Sequence, residues 1–221
     1  MSALTARAIL FDMDGVLVDS RAVVERAWRW WAAGHGLAAE PLLRVAHGRR
    51  TSDTLREVCP DLATPEEVAR LDGAELRDFE GIVAVPGAQE LTASLPRTSW
   101  AVVTSAGRTL ALGRLAAAGI DPPDWMVTSD DVPRGKPAPD GYLLAAARFG
   151  AEPADCLVVE DTPPGIAAGR AAGMRVVALT TTYEPDRLAG AHLVVTDLRG
   201  LSVTATGAGL AVHRAGEASR A

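Results

Sequence analysis

Six short apolar runs constrain this chain more than any other feature. They are Ala8–Phe11, Trp100–Val103, Trp125–Val127, Cys156–Val159, Val176–Leu179 and Leu193–Val195. Each is continuous rather than alternating, the pattern of a strand covered on both faces. Ala- and Leu-rich stretches separate several of them: Arg108–Ala118, Asp140–Phe149 and Gly165–Ala172. Gly119, Gly150 and Gly173 follow these stretches at positions suited to helix C-caps. Strand alternating with helix predicts an α/β fold, a doubly wound parallel sheet.

One interval breaks the rhythm. No convincing strand pattern appears from Asp19 to Pro86. Helical patterns fall instead at Ala22–Gly34, Ser52–Val58 and Pro65–Glu80. The expected organisation is a core from residues 1–17 and 87–200 with an inserted helical cap, 18–86. The linkers fall near Val16–Ser20 and Ile82–Gly87. The last stretch, 201–221, is rich in Ala, Gly, Thr and Ser and is expected to be a loosely ordered tail.

In a parallel sheet, ligands bind beyond the carboxyl ends of the strands. The residues just past the apolar runs are therefore the candidates. They are Asp12 and Asp14, then Thr104-Ser105-Ala106-Gly107, then Arg134-Gly135-Lys136-Pro137, then Glu160-Asp161-Thr162. Carboxylates gathered at one edge repel unless a cation bridges them. Mg²⁺ takes oxygen ligands and shares them with phosphate and water. Asp12, Asp161 and the backbone carbonyl at Asp14 are the expected ligands, with Glu160 acting directly or through water. The Thr104 hydroxyl, the Lys136 ammonium and turn amides at Ser105 and Ala106 suit the oxygens of a phosphoryl group. Taken singly, each residue has a plainer role: paired aspartates cap turns, and Thr104 reads as a strand-end hydroxyl. Asp130, Asp131 and Asp140 read as turn and helix-start residues. Pro163 and Pro164 read as the start of a helix.

Composition narrows the partners. The chain has 221 residues, 48% of them hydrophobic, enough for one sizeable core and a small insert. A net charge of −6 gives no support for nucleic-acid binding. No apolar run reaches the roughly eighteen residues of a membrane span. Residues Met1–Arg7 lack an apolar leader, so a cytoplasmic location is expected. Cys59 and Cys156 lack metal-ligand spacing and read as free thiols. Lys occurs only at 136, and the other 21 basic residues are Arg. A lone Lys in Gly135-Lys136-Pro137 suggests a site that needs a compact point charge.

The four segments, in order, resemble the motifs of the haloacid dehalogenase superfamily. They are Asp-x-Asp-Gly-Val-Leu-Val-Asp-Ser, Val-Val-Thr-Ser, Arg-Gly-Lys-Pro-x-Pro-Asp and Val-Val-Glu-Asp-Thr followed by Gly-Ile-x-Ala-Gly. The likeness spans roughly residues 8–200. It implies a Rossmann-like core with a small helical cap and Mg²⁺ as cofactor. By resemblance Asp12 is the nucleophile and Asp14 the general acid/base. Thr104 and Lys136 hold the phosphoryl group, and Asp161 with Glu160 completes the metal site.

Within that superfamily, Asp14 argues against dehalogenation, whose leaving halide needs no proton. A cap without lysine argues against a phosphonatase and weighs against a β-phosphoglucomutase-type mutase. The reading is a phosphomonoester hydrolase for a small sugar or polyol phosphate. The alternatives are that mutase or a non-catalytic phospho-ligand-binding module. Ala46-His47-Gly48-Arg49-Arg50-Thr51 resembles the cap loop of sugar- and polyol-phosphate phosphatases. Gly48 is then a close-approach point and Arg49 a substrate contact, competing with a solvated basic turn. Glu25 is a further candidate for the cleft, and Arg108 reads as a helix-surface residue. Trp28 and Trp31 read as cap packing. A small-molecule phosphate ester is the expected partner, with a monomer expected and a dimer as the alternative.

Overall fold

The computed structural model describes residues 4–207 and 209–216. In chain order, β1 (Leu4–Ala6) and β2 (Ala8–Phe11) precede a two-residue strand, β3 (Val18–Asp19). Four helices follow: α1 (Arg21–Gly34), α2 (Glu40–Ala46), α3 (Thr51–Val58) and α4 (Pro65–Glu75). β4 (Val83–Ala84) pairs antiparallel with β3 and leads back to α5 (Ala88–Ser94). Strands and helices then alternate: β5 (Trp100–Val103), α6 (Arg108–Ala117), β6 (Trp125–Val127), α7 (Asp140–Arg148), β7 (Cys156–Glu160), α8 (Pro163–Ala171), β8 (Arg175–Leu179) and β9 (Leu193–Val195). β10 (Leu201–Thr206) and β11 (Gly209–Arg214) close the described chain.

Alternation within each strand explains why the runs are apolar throughout. Side chains of a strand point to opposite faces in turn. Ile9, Phe11, Trp100, Val102, Leu157, Val159 and Val177 enter one core, with Leu91 of α5 and Leu115 of α6. Leu10, Ala101, Val103, Val158 and Val176 enter the other, with Tyr142 of α7 and Ile166 of α8. The six-stranded sheet has the order β6-β5-β2-β7-β8-β9, and every pairing in it is parallel. This is the doubly wound α/β sheet expected. β2 lies centrally, beside β5 and β7, so its carboxyl end opens at the middle of the site edge. Gly119, Gly150 and Gly173 all have positive φ just past their helices, the left-handed C-cap geometry.

The helical segment has its own core, in which Trp28, Trp31, Leu42, Leu55 and Leu71 are buried. Trp28 and Trp31 meet edge to face with ring centroids 6.2 Å apart. Their role is packing, as their three-residue spacing suggests. α2 and the β3–β4 pair carried no visible signal, because both are very short.

The expectation of a loosely ordered tail is corrected. β10 and β11 form an antiparallel hairpin, and β11 also pairs antiparallel with β1. Leu201, Leu210 and Val212 are buried in the first core with Ala6. The stretch carries a period-two apolar pattern, diluted by Ala, Gly and Thr. Its pairing partner lies at the opposite end of the chain, where local composition gives no cue. Residue 208 and residues 217–221 of the expected tail lie outside the described residues.

Candidate active site

Each motif residue reaches the site by ending a strand. Asp12 follows β2, and its amide extends the pairing by donating to the Val159 carbonyl at 2.9 Å. Thr104 follows β5, Glu160 ends β7, and Asp161 comes next. Lys136 comes from the loop between β6 and α7. Its Nζ lies 2.7 Å from Asp12 Oδ1 and 2.6 Å from Glu160 Oε1. Glu160 is fully engaged: Oε1 also accepts from the Tyr142 hydroxyl, and Oε2 accepts from the amides of Asp161 and Thr162 and from the Thr162 hydroxyl. Thr162 caps α8 by accepting from the Gly165 amide, and Pro163 opens the helix. Gly165 must be glycine, since a Cβ there would lie 1.7 Å from Glu160 Oε1.

Burial sets the charges. Desolvation raises Asp12 to about 7, partly opposed by Lys136 and reinforced by Glu160. Asp161 is pushed well above the carboxylate range by burial, then by Glu160 and Asp12. Burial disfavours the Lys136 ammonium, but Asp12 and Glu160 outweigh it and hold its pKa above the ordinary value. Burial also opposes ionisation of Glu160, and there Lys136 prevails, lowering it.

Three oxygens of these carboxylates lack partners. Asp12 Oδ2 and both oxygens of Asp161 are buried without a hydrogen bond. The Thr182 hydroxyl lies close enough to lower Asp161 slightly, but outside hydrogen-bond geometry. Orphaned buried oxygens are costly unless something compensates them. Among the described residues, Asp12, Glu160 and Asp161 place one oxygen each within 4.8 Å of one another. Such an all-oxygen set fits a hard divalent cation. Glu160 already has its oxygens engaged, so Asp12 and Asp161 are the freer ligands. Gly15 brings the turn close: its φ is +82°, and a Cβ there would lie 1.9 Å from Asp161 Oδ2.

The Asp14 carboxylate does not join this cluster. Ser20 Oγ donates to its Oδ1 at 2.5 Å. Arg114 Nη1 lies 3.0 Å from each of its oxygens, and Arg114 Nη2 lies 2.8 Å from Glu75 Oε2. Reading by motif missed Arg114 and Glu75. Their signal was periodicity: Arg114 shares the buried face of α6 with Leu110, Ala111 and Leu115. Glu75 likewise follows Leu71 by one turn on the buried side of α4.

A cleft of about 790 Å³ lies between the sheet edge and the helical segment. Asp12, Asp14, Asp161, Thr104, Ser105, Ala106, Gly48 and Arg49 all line it. Lys136 stands behind Asp12 and faces a smaller cavity shared with Thr104 and Ser105. Ser105 Oγ donates to the Gly48 carbonyl at 2.9 Å. Gly48 has φ +75°, and a Cβ would lie 2.7 Å from Thr162 Oγ1, so the loop touches the sheet edge closely. The Arg49 guanidinium reaches Glu57 at 2.5 Å, while its Nε is buried without a partner. The Ala106 amide donates to Thr104 Oγ1 at 3.1 Å. Glu25 pairs with Arg29 and does not line the cleft. Arg108 binds Asp131 and the Met126 carbonyl on the rim. Asp131 caps the turn at Thr128, and Asp140 starts α7 and pairs with Arg134. Cys59 and Cys156 are free thiols.

A doubly wound sheet with buried carboxylates and a lysine at its carboxyl edge, under a helical cover, is the architecture of a hydrolase of the haloacid dehalogenase type. The chain belongs to the haloacid dehalogenase-like hydrolase family, which matches it over residues 6–173. It is 41% identical over 206 residues to hexitol phosphatase A of Escherichia coli, covering 91% of this chain and 95% of the relative. It is 35% identical over 198 residues to glycerol-1-phosphate phosphohydrolase 2 of Saccharomyces cerevisiae, covering 84% and 79%. The crystal structure of a hydrolase from Pseudomonas syringae superposes with a TM-score of 0.77 at 31% identity, over 88% of this chain and 94% of that one. Among the described residues, no helix is long and apolar enough to cross a membrane.

Proposed function

We propose that this hydrolase cleaves the phosphomonoester of a small sugar or polyol phosphate through a phosphoryl-enzyme formed on Asp12. The chain is a phosphoric monoester hydrolase of the haloacid dehalogenase type, and its matched relatives include a hexitol phosphatase and a glycerol-1-phosphate phosphohydrolase. The observation that carries the mechanism is the set of orphaned oxygens on Asp12 and Asp161 beside Lys136. It supports a site awaiting both a cation and a phosphoryl group.

Asp12 and Asp161, backed by Glu160, would hold Mg²⁺, which supplies charge neutralisation for the carboxylates and the phosphoryl oxygens. Asp12 attacks phosphorus and the ester P–O bond breaks. Asp14, lining the cleft two residues on, gives its proton to the leaving alkoxide, which departs as an alcohol. The resulting Asp14 carboxylate then takes a proton from water. The water oxygen attacks phosphorus, and the aspartyl–phosphoryl bond breaks, releasing inorganic phosphate and restoring Asp12. Lys136 and Thr104 hold phosphoryl oxygens during both steps. The Gly48 and Arg49 loop, with Ser105 and Ala106, faces the substrate.

The test is phosphate release from a panel of hexose, hexitol and glycerol phosphates, with Mg²⁺ and with chelator. Metal-dependent release, fastest on polyol or sugar esters, is expected. No release from any ester by folded protein overturns the reading. Isomerisation of a hexose 1-phosphate without free phosphate would establish the mutase alternative.

A further inference from the structure

Several contacts seat the helical segment on the sheet domain beside the cleft, including Arg21 Nη2 donating to the Thr181 carbonyl at 2.9 Å. Ser105 holds the Gly48 carbonyl, and Arg50 Nη1 donates to the Pro133 carbonyl at 3.2 Å. A further contact is Glu75 on Arg114. It differs from the others because the same guanidinium also holds Asp14. The Arg114 side chain is only 3% exposed and Glu75 8%, so the bridge runs through the protein interior. One guanidinium in a fixed fork joins a helix of the insert, a helix of the sheet domain and the catalytic turn.

We propose that Arg114 is a positioning residue that fixes the Asp14 carboxylate for proton transfer, and that Glu75 makes this setting depend on the insert being seated. The inference rests on the reading of Asp14 as the proton carrier. With Glu75 in place, both terminal nitrogens of Arg114 are committed, and the Asp14 carboxylate is held by Arg114 and by Ser20 together. When the insert lifts, Arg114 loses its second carboxylate and Asp14 loses its fixed partner geometry. Misplacing a catalytic group by an ångström is enough to cost a large factor in rate. Water admitted to the open cleft would then meet a proton-transfer group out of position.

Leaving-group dependence distinguishes positioning from general damage. An alkyl phosphate needs a proton on its leaving oxygen, whereas p-nitrophenyl phosphate does not. The experiment measures kcat/KM for p-nitrophenyl phosphate and for the best alkyl ester of the panel above. Wild type is compared with Arg114→Met, Arg114→Lys and Glu75→Gln, with Asp14→Asn as reference. Arg114→Met is expected to lower the alkyl-to-aryl ratio at least about tenfold, and Arg114→Lys to restore part of it. Glu75→Gln keeps the length of the side chain and, assayed at pH 8 where the native carboxyl is ionised, should lower the ratio several-fold. It also carries the test if Arg114→Met does not fold. A ratio unchanged in both Arg114→Met and Glu75→Gln, with the two esters falling together or not at all, overturns the positioning role. If Asp14→Asn also leaves the ratio unchanged, the role of Asp14 itself is wrong. An inactive wild type instead overturns the phosphatase reading on which the inference stands.

Discussion

The Lys136 ammonium lies 2.7 Å from Asp12, and its second carboxylate, on Glu160, is 2.6 Å away. All three side chains are buried. Removing one partner of a buried ion pair leaves uncompensated charge and typically costs about 3–5 kcal/mol. Lys136→Met should therefore lower stability by an amount of that order and reduce turnover to background. Lys136→Arg should not rescue it, because a planar guanidinium does not fit where a compact ammonium sits between two carboxylates. Thermal unfolding with a steady-state phosphate assay checks both. Full activity in Lys136→Arg would contradict the requirement for a point charge.

Metal binding should be visible without turnover. A cation held by Asp12 and Asp161 would bind the folded chain and not the unfolded one, so Mg²⁺ should raise Tm in a concentration-dependent way. Asp161→Asn removes a carboxylate whose oxygens have no other partner. That variant should lose the Mg²⁺-dependent rise, and its metal-free Tm should stay at or above that of wild type. An unchanged Mg²⁺ response would place the cation elsewhere.

Glu75 gives a pH signature. Burial raises its pKa from 4.5 to about 7, despite the opposing pull of Arg114. At Arg114 the balance tips the other way: Asp14 and Glu75 outweigh burial and raise it. The folded chain thus keeps the Glu75 proton up to about pH 7, while the unfolded chain releases it near 4.5. Between those values the folded state binds more protons, so this group makes stability fall as pH rises. Glu75→Gln has no such proton to lose. Its Tm relative to wild type should climb between pH 5 and pH 8 by roughly 5–10 °C, about 2.5 kcal/mol. A gap independent of pH would contradict the shift.

The cap loop makes a steric prediction. Gly48→Val demands a side chain at φ +75° and within 2.7 Å of Thr162. It should push the loop off the sheet edge and raise KM for sugar phosphates severalfold, with little change in Tm. Kinetics beside differential scanning fluorimetry would show it, and an unchanged KM would remove Gly48 from the substrate-facing surface.

What could be read from the chain itself follows a physical divide. The parallel strands were legible because burial on both faces leaves an unbroken apolar run, as at Ala8–Phe11 and Cys156–Val159. Asp12, Thr104, Glu160 and Asp161 were legible because this sheet puts its chemistry one or two residues past those runs, and Lys136 because it is the lone lysine. β10 and β11 were not, since their apolar alternation is diluted and their partner, β1, lies at the far end of the chain. Arg114 and Glu75 were hidden for a related reason. Each looks like one charge in an ordinary amphipathic helix; periodicity puts it on the apolar face, and only the structure shows the two joined between α6 and α4. The division of roles between Asp12 and Asp14 came from the family resemblance, and the structure adds a physical difference between them. Two residues of spacing put them on one side of the chain, but Lys136 and Arg114 hold them in different surroundings.

The nucleophile is the central claim, and it can be observed directly. Enzyme quenched in acid during turnover of its best substrate should carry a phosphoryl group on the peptide containing Asp12, detected by mass spectrometry. Asp12→Asn should show neither adduct nor activity. A phosphoryl group mapped to another residue, or near-normal turnover in Asp12→Asn, would contradict the account.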